Sequence, residues 1–240
     1  MDELLVCHLG RVEYRAAVEL QASLRARVRS GELGDVLLLL EHPPVYTRGR
    51  RSADDELPLG EAWYRAQGVD VVETERGGKL TYHGPGQLVG YPIMRIGAVR
   101  EYVETMERAI AAALAEEGIA AGPRDGLTGV WVEDRKIGSI GVHVSHRVTT
   151  HGFAINVDCD LEPFEWVVPC GIAGVRMTSV SLETGRGAGA SAGDVRPGET
   201  FSCFRKRMAH AFASAHGRRQ RLVTPERLGI AKPTGAPLPA

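Results

Sequence analysis

Cys170 lies in Val168-Pro169-Cys170-Gly171-Ile172, where a proline before it and a glycine after it set the thiol on a rigid turn with little side-chain cover. Such a thiol suits a nucleophile, although a free cysteine is as often a small buried hydrophobe in a loop. Lys136 opens the run Ile137-Gly138-Ser139-Ile140-Gly141. A lone hairpin lysine is ordinarily solvated. The Gly-Ser-Ile-Gly continuation argues otherwise, because it offers backbone donors and too little bulk for an ordinary core strand. A third stretch, Arg76-Gly77-Gly78-Lys79-Leu80-Thr81-Tyr82-His83-Gly84-Pro85-Gly86-Gln87, flanks an extended run with glycines. Glycine lets a ligand approach the peptide groups closely, and a histidine there is placed to hold or move a proton. The stretch reads as a wall for a slender ligand with one polar handle, or as a tight hairpin and nothing more.

Other groups carry less. Asp158 and Asp160 flank Cys159 and oppose a thiolate there, Cys7 falls in a strand and reads as core, and Cys203 completes the set. His143, His146 and His151 are close in sequence, but strand residues three apart face opposite sides, so no metal site is expected. The glycines around Lys79 lack the G-x-x-x-x-G-K-[ST] order of a phosphate loop. Arg205-Lys206-Arg207 and Arg218-Arg219 read as solvated charge. With 29 basic and 30 acidic side chains, no bulk field recommends nucleic acid or an anionic membrane as partner. The first twenty residues carry Glu3, Arg11, Glu13 and Arg15, unlike a signal peptide, and the longest aliphatic run, Val36 to Leu40, cannot span a bilayer. A cytoplasmic protein with reduced thiols is expected.

These residues need elements to hold them. At 240 residues, 43% apolar and 25% charged, the chain is an ordinary globular one with ample core. Leu4 to Leu9 predicts a strand, and Val12 to Val28 an amphipathic helix. Val36 to Leu40 predicts a strand buried on both faces, emptying into a loop over Glu41 to Arg50 where Pro43 and Pro44 forbid helix. Val69 to Val72 and Leu88 to Ile93 are further strands, and Tyr102 to Glu117 a second helix. Gly129 to Val142 predicts a hairpin turning at Glu133 to Arg135, followed by a strand from Thr150 to Val157. Pro163 to Met177 reads as irregular, Thr200 to His216 as a last helix, and the Pro- and Ala-rich end after Lys232 as disordered. No internal repeat or interdomain linker interrupts this order.

Taken together, Glu41-His42-Pro43-Pro44-Val45-Tyr46-Thr47, the Arg76 to Gln87 run, Lys136 to Gly141, His151-Gly152-Phe153-Ala154-Ile155-Asn156 and Pro169-Cys170-Gly171-Ile172 closely resemble the lipoate-protein ligase B family. Its members are octanoyl-[acyl-carrier-protein]:protein octanoyltransferases, and the resemblance runs in order over roughly residues 4 to 216. It implies the biotin/lipoate-protein ligase-like α/β (α+β) fold, a single domain with a mostly antiparallel sheet flanked by helices. The domain is expected to cover 1–218, and 219–240, which lies outside the match and inherits nothing from it, is expected to be a disordered tail. It also implies transfer of an octanoyl group from octanoyl-acyl carrier protein to lipoyl domains of 2-oxoacid dehydrogenase complexes and to the glycine cleavage H protein, without cofactor or metal. By the same resemblance Cys170 accepts the acyl group and Lys136 is its partner. Substrate binding falls to Arg76, Gly77, Gly78, Lys79, Leu80, Thr81, Tyr82 and His83, to Ser139, Ile140 and Gly141, and to Gly152, Phe153 and Ala154. Gly138 departs from the pattern, which has alanine there.

The chemistry is coherent without the family. A thioester exchanges with a thiolate at little cost, and reference pKa values of about 8.5 for Cys and about 10.4 for Lys leave a neutral thiol dominant unless an ammonium lies beside it. A desolvated lysine can then take the proton of an incoming amine. His83 is expected to position the thioester or to shuttle a proton, with positioning the favoured role. Arg48, Arg50 and Arg51 are docking candidates for acidic carriers, against the default of a solvated loop. Three other readings differ in kind. An ATP-dependent ligase needs no acyl-cysteine, a non-catalytic binder needs neither residue, and a thiol hydrolase would pair its cysteine with histidine.

Overall fold

The computed structural model describes residues 2–172, 174–186 and 199–231. In chain order the strands are β1 (Glu3–Arg11), β2 (Asp35–Glu41), β3 (Val45–Arg48), β4 (Asp70–Glu73), β5 (Thr81–His83), β6 (Gln87–Ile93), β7 (Gly122–Arg124), β8 (Leu127–Val132), β9 (Arg135–Ser145), β10 (Val148–Asn156), β11 (Arg176–Met177) and β12 (Arg219–Val223). The helices are α1 (Tyr14–Ser30), α2 (Glu61–Ala66), α3 (Val99–Ala115), α4 (Val180–Glu183) and α5 (Glu199–Ala215).

The large sheet runs β12-β1-β2-β6-β10-β9-β8-β7, with β11 added beside β9. From β2 to β7 every neighbouring pair is antiparallel, while β1 is parallel to both β2 and β12. The apolar run of β2 behaves as its composition requires. Leu37 and Leu39 enter one core while Val36, Leu38 and Leu40 enter the other. Helix α1 closes the second core with Ala17, Leu24 and Val28, and Gly31 ends it at φ 83, a conformation glycine adopts freely. Helices α3 and α5 close the first, through Met106, Ile110, Phe204 and Phe212 among others. A smaller sheet, β4-β3-β5, builds a third core with Tyr64 of α2 and with Phe164 and Val167.

Three expectations change. The loop over Glu41 to Arg50 contains β3: the prolines forbid helix, but Val45-Tyr46-Thr47 is β-favouring and pairs with β5 and β4. The segment over Pro163 to Met177 contains short 3-10 turns and β11. The domain does not end at 218. Residues Arg219 to Val223 form β12 along the free edge of β1, Arg219 and Arg221 pair with Glu3, and Leu228 is buried in the α1 core. An edge strand of mostly polar residues has no alternation to betray it, yet it satisfies backbone groups that β1 would otherwise leave open. The end after Lys232 lies outside the described residues.

Candidate active site

A cavity of about 520 Å³ opens beside β9 and β10, and both Lys136 and Cys170 line it. Lys136 is the second residue of β9, paired with Trp131 of β8 on one side and Met177 of β11 on the other. That double pairing explains why a hairpin lysine is only 2% exposed. Its side chain passes Gly129, where a Cβ would stand 2.8 Å from Lys136 Cε, and the carboxylate of Glu107 holds the Gly129 N–H at 2.9 Å. The ammonium lies 5.4 Å from the centre of the Trp131 ring, within cation–π range. It donates to Cys170 Sγ at 3.1 Å.

Cys170 is half-buried in the 3-10 turn Pro169–Gly171 with φ 58 and ψ 13, a left-handed conformation uncommon outside glycine. Its N–H is fixed to Leu80 O at 2.8 Å. Glu56 ties this turn to the Arg76–His83 wall. Its carboxylate, almost fully buried, accepts the Leu80 N–H at 3.0 Å and lies 3.3 Å from Lys79 Nζ, while its carbonyl accepts the Val168 N–H at 3.1 Å. The Lys79 side chain in turn fills the space where a Cβ on Gly171 would sit, which accounts for glycine after the cysteine.

The wall itself divides by strand alternation. Lys79, Thr81 and His83 line the cavity, whereas Leu80 and Tyr82 point into the third core. Those two side chains therefore do not face the site, and Leu80 contributes through its backbone. The buried Arg76 guanidinium donates to Thr47 Oγ1, Thr47 O and Gly77 O. Glycines at 49 and 141 lie close against that side chain, where a Cβ would come within 2.7 Å of Nη1 and 3.3 Å of Cδ respectively. Some of the glycine pattern thus accommodates an arginine rather than a ligand. Along the facing strands, the register sets Ser139 against Ala154, Ile140 against Phe153, Gly141 against Gly152 and Val142 against His151. All eight residues line the cavity.

Behind the wall lies a polar network. Gln87 Nε2 donates to Asn156 Oδ1 at 2.9 Å and to Tyr82 O at 3.2 Å, so Gln87 Oε1 is the acceptor and His83 Nδ1 its donor at 2.7 Å. Burial, with His42 nearby, holds His83 well below the usual histidine range. His83 is accordingly a neutral imidazole with its proton committed to Gln87. Burial also pushes His42 down to about 4 and His151 down to about 3.

The sequence and the fold both have known relatives. Residues 13–196 match the model of the lipoyl protein ligase A/B catalytic domain. The chain belongs to that family. It lies on the lipoate-protein ligase B branch and is an acyltransferase. An octanoyltransferase of Mycobacterium tuberculosis is 49% identical over 188 residues, 75% of this chain and 78% of the relative. One from Myxococcus xanthus is 46% identical over 196 residues, 78% of this chain and 55% of the relative. Among solved structures, a bipartite lipoate protein ligase from Thermoplasma acidophilum, studied with its E2 lipoyl domain, has a TM-score of 0.69 at 18% identity, covering 95% of this chain and 91% of that one. A lipoate-protein ligase A bound with ATP scores 0.68 at 17% identity, covering 95% and 92%. The fold is that of the lipoate-protein ligases.

Against the family pattern, Gly138 is not a defect. A Cβ there would meet Val130 Cβ at 3.5 Å, Ile110 Cγ2 at 3.7 Å and Ala154 O at 3.8 Å, all ordinary contacts. Several site residues escaped the sequence reading. Val99 and Val103 of α3 and Gly126, Leu127 and Thr128 before and in β8 add an apolar side, and Tyr14 and Tyr91 add another. Glu56 sat unremarked in the acidic run Asp54-Asp55-Glu56, which carries no sign that only its last member is buried.

Proposed function

We propose that the chain takes an octanoyl group from octanoyl-acyl carrier protein onto Cys170 as a thioester and passes it to a lysine of a lipoyl domain. The observation that carries this reading is the Lys136 ammonium 3.1 Å from Cys170 Sγ at the wall of a largely apolar cavity. Sγ, as a thiolate beside the Lys136 ammonium, attacks the donor carbonyl; the new C–S bond forms, the bond to the carrier sulfur breaks, and Lys136 gives its proton to the departing sulfur, which leaves its amine neutral. The acceptor amine then attacks the acyl-cysteine, the C–N bond forms, and Sγ is released while Lys136 relays the proton the amine loses. The ammonium favours negative charge on sulfur in both half-reactions. The Arg76–His83 wall and the facing strands β9 and β10 hold the chain: burying six or so methylenes contributes roughly 5 kcal/mol. The neutral His83, with its donor turned to Gln87, serves as a positioner rather than an acid.

Intact-mass measurement tests this. Incubation with octanoyl-acyl carrier protein, without ATP, should add one octanoyl group, absent in Cys170→Ser and forming at least a hundredfold more slowly in Lys136→Ala. Apo-lipoyl domain should then discharge the adduct onto its lysine. An unmodified wild-type protein, or labelling that demands ATP, would sink the reading, and discharge only to water would make the protein a hydrolase.

A further inference from the structure

Four lysine and arginine side chains line the cavity, and three are already committed within the protein. Lys136 donates to Cys170 Sγ, Arg76 to Thr47 and Gly77, and Lys79 lies against Glu56. Arg51 is the fourth. It is exposed, and among the described residues no carboxylate pairs with its guanidinium. Its neighbours in the same loop differ on this point: Arg48 is paired with Asp54 at 2.5 Å and Glu73 at 3.1 Å, and Arg50 lies 3.8 Å from Glu75. The root of Arg51 is nonetheless fixed. Its N–H donates to Gly78 O at 3.1 Å, and the flanking Arg50 N–H donates to Arg76 O at 3.0 Å. The guanidinium therefore stands on the rigid part of the cavity wall with its tip in solvent and unpartnered.

We propose that Arg51 binds the phosphate that joins the donor's thioester-bearing pantetheine arm to its carrier, a reading that rests on the acyl-carrier donor argued above. A charged phosphate will not follow an acyl chain into an apolar cavity, so it stays at the exposed edge while the thioester reaches Cys170. Guanidinium presents a fork of donors that matches phosphate oxygens. Anchoring at the root lowers the ordering cost of the contact. Of the three arginines suggested by sequence as docking residues, the structure leaves this one free to take an anion at the site of chemistry.

The test compares octanoyl-pantetheine with octanoyl-4′-phosphopantetheine as acyl donors, reading the rate of octanoyl-Cys170 formation by intact mass. Wild type should prefer the phosphorylated donor, and the preference should shrink as salt rises. Arg51→Ala should cut that preference about tenfold, Arg51→Lys should retain part of it, and Arg50→Ala should keep it. An Arg51→Ala protein that acylates with the wild-type preference overturns the proposal alone. Wild type that accepts octanoyl from neither donor nor from the acyl carrier protein overturns the donor reading, and this contact with it.

Discussion

Cys159 and Cys170 are both free, both half-buried and both in irregular segments close after a strand or turn, yet their surroundings oppose each other. Desolvation pushes the Cys159 thiol up to about 12, with Asp158 and Asp160 adding repulsion. The flanking acids, conspicuous in the sequence, are thus the lesser cause and burial the greater. Cys170 meets an ammonium at 3.1 Å, has a left-handed backbone, and donates its N–H to Leu80 O. Accessibility does not separate the two thiols. What separates them is desolvation at Cys159 and, at Cys170, a lysine that arrives from 34 residues away along the chain. The contrast between the two thiols is set by tertiary neighbours rather than by either cysteine's own segment.

That contrast can be measured directly and then dismantled. At pH 7, timed alkylation with iodoacetamide and peptide mapping should find Cys170 modified at least a hundredfold faster than Cys159, since a thiol near 12 is scarcely ionised. Comparable rates would mean that the environments do not differ as described. Acid should weaken the fold that buries Cys159. His42 and His151 have folded values of about 4 and about 3, below the unfolded value of about 6.5. Their contribution is complete above pH 6.5 and is lost as pH falls towards their folded values. Each should cost about 2 kcal/mol between pH 6.5 and 5, seen as a lower urea midpoint at pH 5 than at pH 7. An unchanged midpoint would show that these imidazoles are not held neutral.

Smaller changes should act on Cys170 while sparing Cys159. Glu56→Ala removes the carboxylate that holds the Leu80 N–H and Lys79, and through Leu80 the Cys170 N–H. Losing that buried acceptor should cost about 1–3 kcal/mol, read as Cys170 acylation up to a hundredfold slower with Cys159 alkylation unaltered. Glu56→Gln, which keeps an acceptor, should recover much of the rate. The mildest change is Gly138→Ala beside Lys136, where the methyl has room. It should stabilise the protein by about 0.5–1 kcal/mol by restricting the unfolded chain. Destabilisation would mean that the strand carrying the lysine needs glycine.

Most of the framework was legible from local pattern. The apolar run of β2 fell where expected, α1 was displaced by two residues at each end, and α3 began three residues earlier, as fraying and capping allow. Elements without strong periodicity were not legible. β3 follows two prolines, α2 has only six residues, and β12 is a polar edge strand stabilised by β1 and Glu3 rather than by its own composition. The site divides in the same way. Motif order over five segments pointed to Cys170, Lys136 and the glycine-rich wall. Period-two alternation within the wall, decided only by the sheet it joined, turned Leu80 and Tyr82 away from the cavity.

By itself, then, the sequence determined the longer, strongly periodic strands and helices, the family and the pair of residues proposed to react, because hydrophobic periodicity and residue identity are local. The tertiary structure alone decided that Lys136 is buried rather than solvated, since two neighbouring strands and the Trp131 ring enclose it. It alone showed that Glu56 links the wall to the cysteine turn, and that of three adjacent arginines only Arg51 lines the cavity without a carboxylate among the described residues. Burial and charge pairing are sums over neighbours brought together by folding, and no single segment of the chain carries that sum.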